Sequence, residues 1–131
     1  MTTFGAIGIA ASGLTVHRKW LDAVGDNLSN VNTVRSTAEE AFQARYVVAR
    51  EMEDGGVQVA GTVLSGDTEG RLVHEPGNPL ADEDGNVRYP EIDMASQMTQ
   101  LIMAQRGYQA NAAVVDRAKE AYQAALRIGQ A

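Results

Sequence analysis

The chain has 131 residues, no cysteine and a net charge of −6. Such a length holds one ordinary domain or two small ones, and the missing thiols exclude disulfides and thiolate metal sites. Residues 1–34 balance Arg18 and Lys19 against Asp22 and Asp26, residues 35–91 carry five Arg against twelve acids, and residues 92–131 carry four bases against three acids. No basic patch suits a nucleic-acid partner, and no apolar run is long enough to span a membrane. With one Trp, four Tyr and two Phe, the apolar content rests on small and aliphatic residues, which favours thin helix–helix packing over a thick globular core.

The N-terminal stretch reads as a helix from Phe4 to about Asn30. Ile7, Leu14, Leu21 and Leu28 recur every seven residues, and Ala10, His17, Val24 and Val31 occupy the line between them. This spacing lays one stripe along a helix. Gly5, Gly8, Gly13 and Gly25 weaken it, each by up to ~1 kcal/mol relative to Ala, so packing must supply its stability. The helix is expected to end near Asn30–Thr33, where Asn, Ser and Thr side chains compete for backbone hydrogen bonds. The start lacks the basic leader of a secretory signal, and glycines dilute its apolar residues.

The middle changes period. Phe42, Ala44, Tyr46 and Val48 alternate with Gln43, Arg45 and Val47, as a strand requires. Gly55-Gly56 predicts a turn, and Val57, Val59, Gly61 and Val63 alternate again, which completes a hairpin. Arg71–His74 reads as a third short strand. Pro76-Gly77-Asn78-Pro79 breaks it, and Asp84-Gly85-Asn86 turns the chain into Val87-Arg88-Tyr89.

The last stretch, Ile92–Ala131, contains no proline. Met94, Leu101, Tyr108, Val115 and Tyr122 form one heptad line, and Met98, Ala112 and Leu126 the second. Gln105 and Lys119 fall on that second line, so the seam is imperfect. Asp93 is placed to cap the helix. A helix of about 35 residues is roughly 50 Å long, too long for a compact domain of this size to cover.

These elements predict an α+β chain. Long N- and C-terminal helices (residues 1–34 and 92–131) form an antiparallel, coiled-coil-like helical domain, with a small β-rich insertion (35–91) between them. A lone two-helix hairpin cannot readily offset the entropy of ordering it, so folding is expected to be coupled to assembly.

No catalytic or cofactor constellation emerges. Asp82, Asp84 and Asn86 match the first three ligands of a calcium loop, but Val87 stands where that loop needs glycine. A solvated hairpin turn is the simpler reading, and no metal site is expected. His17 and His74 lack the partners of a catalytic triad or zinc site and read as structural. Neither Glu39-Glu40 nor Glu51/Glu53 has an apolar pocket to raise a pKa. Trp20 lies beside the stripe, either at the edge of the helix pair or as an anchor into a neighbouring subunit.

Three segments carry a resemblance. Asn27-Leu28-Ser29-Asn30-Val31-Asn32-Thr33 and Leu101-Ile102-Met103-Ala104-Gln105-Arg106-Gly107-Tyr108-Gln109-Ala110-Asn111 resemble the terminal motifs of bacterial flagellar axial proteins: rod, hook and hook-associated proteins. Glu75-Pro76-Gly77-Asn78-Pro79-Leu80-Ala81-Asp82 with Gly85-Asn86-Val87-Arg88-Tyr89-Pro90 narrows it to the proximal rod. Thr33 is followed by Val34-Arg35-Ser36-Thr37, where hook and distal-rod relatives continue Pro-Gly-Tyr. Residues 35–40 also lack the glycines and prolines of the type.

The resemblance implies a non-enzymatic building block without cofactors, located in the rod of the flagellar basal body within the periplasmic space. It implies passage through the flagellar type III export apparatus without a cleaved signal peptide. Partners would be copies of itself and other rod proteins, with rod-to-ring junction proteins a further candidate. Its terminal helices would form the inner, channel-lining layer and transmit torque, and its insertion would face outward.

The residues expected in helix packing and assembly are Ile7, Leu14, Leu21, Leu28, Met98, Leu101, Gln105, Tyr108, Val115 and Leu126. Asn27, Asn30, Arg106 and Asn111 are expected to set register through polar contacts. A soluble helical adaptor, acting as monomer or dimer, is the rival reading.

Overall fold

The first element, α1 (Thr3–Asn30), spans four glycines without a break. The computed structural model describes residues 3–130. The expected domain limits at residues 1 and 131 lie outside them. Ser12 and Thr15 turn their hydroxyls back onto the carbonyls of Ile9 and Ala11 (2.6 and 3.2 Å), so these polar side chains are satisfied within the helix. At its C-terminal end the Asn30 amide donates to the Asp26 carbonyl (2.9 Å), and Thr33 N–H returns to the Asn30 carbonyl (3.0 Å). The helix stops where its polar residues were expected to stop it.

Four strands follow: β1 (Ala44–Glu51), β2 (Val57–Ser65), β3 (Arg71–His74) and β4 (Asn86–Tyr89). They form two separate two-stranded sheets, β1-β2 and β3-β4. Gly55 and Gly56 form the first turn with φ of 86° and 94°, a region that favours glycine. The second sheet is antiparallel and pairs Arg71 with Tyr89 and His74 with Asn86. The last element is α2 (Met94–Gly129). The Asp93 carboxylate accepts from the N–H groups of Ala95 and Ser96 (both 3.2 Å), which is the expected cap. The α+β class and order of elements follow the sequence pattern.

The chain divides into two compact units. One takes in the described parts of Met1–Leu21, Val47–Gly61 and Ile102–Ala131. Its buried residues include Ala10, Val16 and Ala104. Ser12 ties helix to hairpin in this unit, because its hydroxyl accepts the N–H of Val57 (3.0 Å).

The other unit comprises Asp22–Tyr46 and Thr62–Leu101. Ala23, Val24, Ala41, Ala44 and Val87 are buried there, together with the polar Asn27 and Gln97. The connection after α1 is ordered by pairing: Arg35 and Arg88 exchange both backbone hydrogen bonds (2.9 Å each). The Arg88 guanidinium then donates to the carbonyls of Thr37 (2.8 Å) and Thr68 (3.2 Å). Arg88 thus holds Arg35 and Thr37 of a connection that lacks glycines and prolines.

Candidate assembly surface

In the first unit α1 and α2 meet through two reciprocal glycine contacts. His17 sits where Gly107 would carry a Cβ, and a Cβ on Gly13 would lie 2.6 Å from Asn111 Oδ1. Each polar side chain is anchored on its own helix four residues back. His17 Nδ1–H donates to the Gly13 carbonyl (2.8 Å), and the Asn111 amide donates to the Gly107 carbonyl (2.9 Å). The carbonyl can only accept, so the Nδ1 proton of His17 follows from the contact. Further along, Phe4 packs edge-on against Tyr122 with ring centroids 5.2 Å apart. Rising numbers on α1 meet falling numbers on α2, so these segments run antiparallel.

In the second unit Asn27 is wholly buried (0 % exposed) and fully used. Its amide donates to the Arg45 carbonyl (2.9 Å) and to Gln97 Oε1 (3.0 Å), and its Oδ1 accepts from Arg45 N–H (2.8 Å). Asn27 therefore imitates a neighbouring strand residue at the start of β1. Gln97, 1 % exposed, passes the contact on by donating to the Tyr46 hydroxyl (3.0 Å). Asn27 and Gln97 stand two heptads along their helices from Gly13 and Asn111. Burying two amides is tolerable only because their partners are present.

The remaining assembly candidates fall into two groups. Ile7, Leu14, Leu21, Leu28, Asn30, Leu101, Asn111 and Val115 are half-buried. Met98, Gln105, Arg106, Tyr108 and Leu126 are exposed on the chain's surface. Asn30 makes local bonds at the helix end, to Asp26 and Thr33. On α2 the second line that turns inward is Gln97, Ala104, Asn111 and Ala118, one residue before the expected Met98, Gln105, Ala112 and Lys119. The sequence marks Gly13 only as a helix-weakening residue and gives Gly107, Gln97 and Ala104 no part in the packing. For Gln97 and Ala104 the signal is a heptad line of small and amide residues, shared with Asn111 and Ala118, beside the line of large apolar ones. Trp20 lies 6.0 Å from the His17 ring, and both line an apolar groove of about 320 Å³ with Val16, Val47, Ala49 and Val57.

The Glu75–Asn86 turn is a network of its own. Glu75 accepts from Tyr89 Oη (2.8 Å) and Asn78 Nδ2 (3.0 Å). These bonds, that from Asn78 foremost, hold its carboxyl below the usual range, while the same carboxylate pushes the Tyr89 hydroxyl up. Asp82 Oδ1 accepts the N–H groups of Asn86 (2.8 Å) and Asp84 (3.0 Å), and the Asn86 bond chiefly lowers its pKa. The acidic run is thus a turn whose first carboxylate is bound by backbone. Among the described residues no group of three or more His, Asp or Glu is arranged to hold a metal.

The family profile described as flagellar basal body rod FlgEFG protein C-terminal matches residues 83–128. Over its whole length the chain is similar to the flagellar basal-body rod protein FlgC of Salmonella typhimurium. The two are 36 % identical, and the match covers 99 % of this chain and 100 % of that protein. The chain belongs to the FlgC family of flagellar basal-body rod proteins. The FlgC of Escherichia coli O157:H7 is 35 % identical over the same shares, and that of Bacillus subtilis 26 % identical over 99 % of this chain and 100 % of its own. FlgC-family chains are structural subunits of the basal-body rod. Among the described residues no helix is long and apolar enough to cross a membrane.

Proposed function

We propose that the chain builds the proximal rod by packing its terminal helices, paired in coiled-coil fashion, against copies of itself and other rod proteins. The observation that carries this reading is the uncovered apolar surface of α2. Ile102, Leu126 and Ile128 are 46, 47 and 78 % exposed, and Met94, Met98, Met103 and Tyr122 are exposed with them. A surface of this extent marks an interaction site, and its spread along a 36-residue helix suits lateral packing of many helices. In this reading residues 1–34 and 92–131 form the inner, channel-lining layer and carry torque. Residues 35–91 face outward, where their acidic excess keeps them solvated or turned toward ring-junction proteins. The subunit reaches the periplasmic rod through the flagellar type III export apparatus. Its work is structural, with no catalytic step.

The test is complementation of a strain lacking its own copy, scored by swimming and by rods in isolated basal bodies. The wild-type chain restores both. Ile102→Asp and Leu126→Asp leave the monomer's helix content unchanged and abolish rods, because both side chains are exposed before assembly. Normal rods with both variants would sink the helix-packing claim. A wild-type chain that restores nothing and sediments as a folded monomer would favour the adaptor.

A further inference from the structure

Arg35 and Arg88 are directly paired across a two-residue antiparallel bridge, so their side chains leave the same face. Like charges in this relation repel. Both Nε atoms are buried without a hydrogen-bond partner. The outer nitrogens of Arg88 are committed to the Thr37 and Thr68 carbonyls, which fixes that guanidinium. Arg35 makes no side-chain hydrogen bond to a described residue. Its stretch of chain holds twelve acids against five Arg, yet the ion pairs among the described residues are Arg45–Asp26 and Arg117–Glu120. A cationic pair left without an anion amid a surplus of carboxylates is incomplete in the single chain. We propose that Arg35, backed by Arg88, is the seat for a carboxylate from the insertion of a second copy of this chain, a contact formed on assembly.

The argument for that occupant is charge. The insertion of each copy has a balance of −7, and repulsion between insertions has to be relieved wherever copies adjoin. A planar guanidinium whose neighbour is immobilised is suited to a two-point grip on a carboxylate. Exposed acids are available at Glu39, Glu40, Glu83 and Asp84.

The inference rests on the rod-subunit reading, and the experiment separates the two. In the complemented strain the wild-type chain must first restore rods; failure there counts against the reading itself. Arg35→Glu and Arg35→Gln are then compared. Purified chains are expected to melt as the wild type does, while rods per cell fall at least tenfold with Arg35→Glu and less with Arg35→Gln. Changing the partner acid to Lys (tried at Glu39, Glu40, Glu83 and Asp84) restores rods in the Arg35→Glu background.

Normal rods with Arg35→Glu would overturn the proposal. Suppressors confined to another rod or ring protein would overturn the second copy as occupant. So would a rise in melting temperature with millimolar phosphate that disappears in Arg35→Glu while its rods stay normal, since the seat would then hold a small free anion. If Arg35→Glu fails to fold, Arg35→Gln decides alone: normal rods overturn the contact, and salt-sensitive rod loss supports it.

Discussion

The imidazole of His17 occupies the space that any side chain at position 107 would need. Asn111 does the same to Gly13, so each helix presents a glycine to the other's polar residue. Replacing Gly107 by Ala should therefore destabilise the chain by about 1–3 kcal/mol through overpacking, although Ala is the better helix former. His17→Ala should relieve most of that cost in the double variant. Urea unfolding followed by far-UV circular dichroism measures both. A stabilised Gly107→Ala chain would mean that the contact gives way freely.

Gly8 and Gly25 on α1 make the opposite prediction. A Cβ at either meets nothing within 4 Å. Gly8→Ala and Gly25→Ala should each stabilise the chain by about 0.5–1 kcal/mol through lower unfolded-state entropy and better helix propensity. If they stabilise the purified chain but reduce rods, those positions lie against neighbours in the assembly.

Asn27→Ala should cost roughly 3 kcal/mol, because it strands the N–H and carbonyl of Arg45 together with the Gln97 amide. Combined with Gln97→Ala the loss should be less than additive, since the two side chains share one bond. A double-mutant cycle on melting curves gives the coupling; strict additivity would refute the shared network.

Acid and alkali should each weaken the Glu75–Asn86 turn. Glu75 and Asp82 have lowered pKa values in the fold. Their contribution is therefore present above the ordinary carboxylate range near about 4 and is lost as pH falls through the lower folded values. Tyr89 is raised, so its contribution is present below about 10 and is lost as pH rises through the folded value. Glu75→Gln should flatten the acid limb and soften the alkaline one. An unchanged pH–stability profile in that variant would remove Glu75 from the account.

The elements, the end of α1 and the start of α2 were legible because they depend on local rules, whereas β1 begins two residues after the expected Phe42 and runs on to Glu51. Asp93 caps α2 since a carboxylate there reaches the free N–H groups of the first turn, and Gly55-Gly56 turns because both need positive φ. The connection at 35–40 was not legible. It depends on Arg88, some fifty residues away, whose guanidinium holds the Thr37 carbonyl.

The helical seam divides in the same way. Sequence alone determined that α1 and α2 are long, that both carry heptad lines, and that Ala10, His17, Val24 and Val31 lie on one of them. It could not decide which neighbouring line closes against the partner. Large apolar side chains draw attention to Leu14, Leu21 and Leu28, but close approach of backbones selects the smallest residues. The tertiary structure sets Gly13 against Asn111 and Gly107 against His17 in one unit, and joins Asn27 to Gln97 in the other. That choice belongs to the pair of surfaces, since the fit of a glycine against an imidazole exists only once both helices are in place.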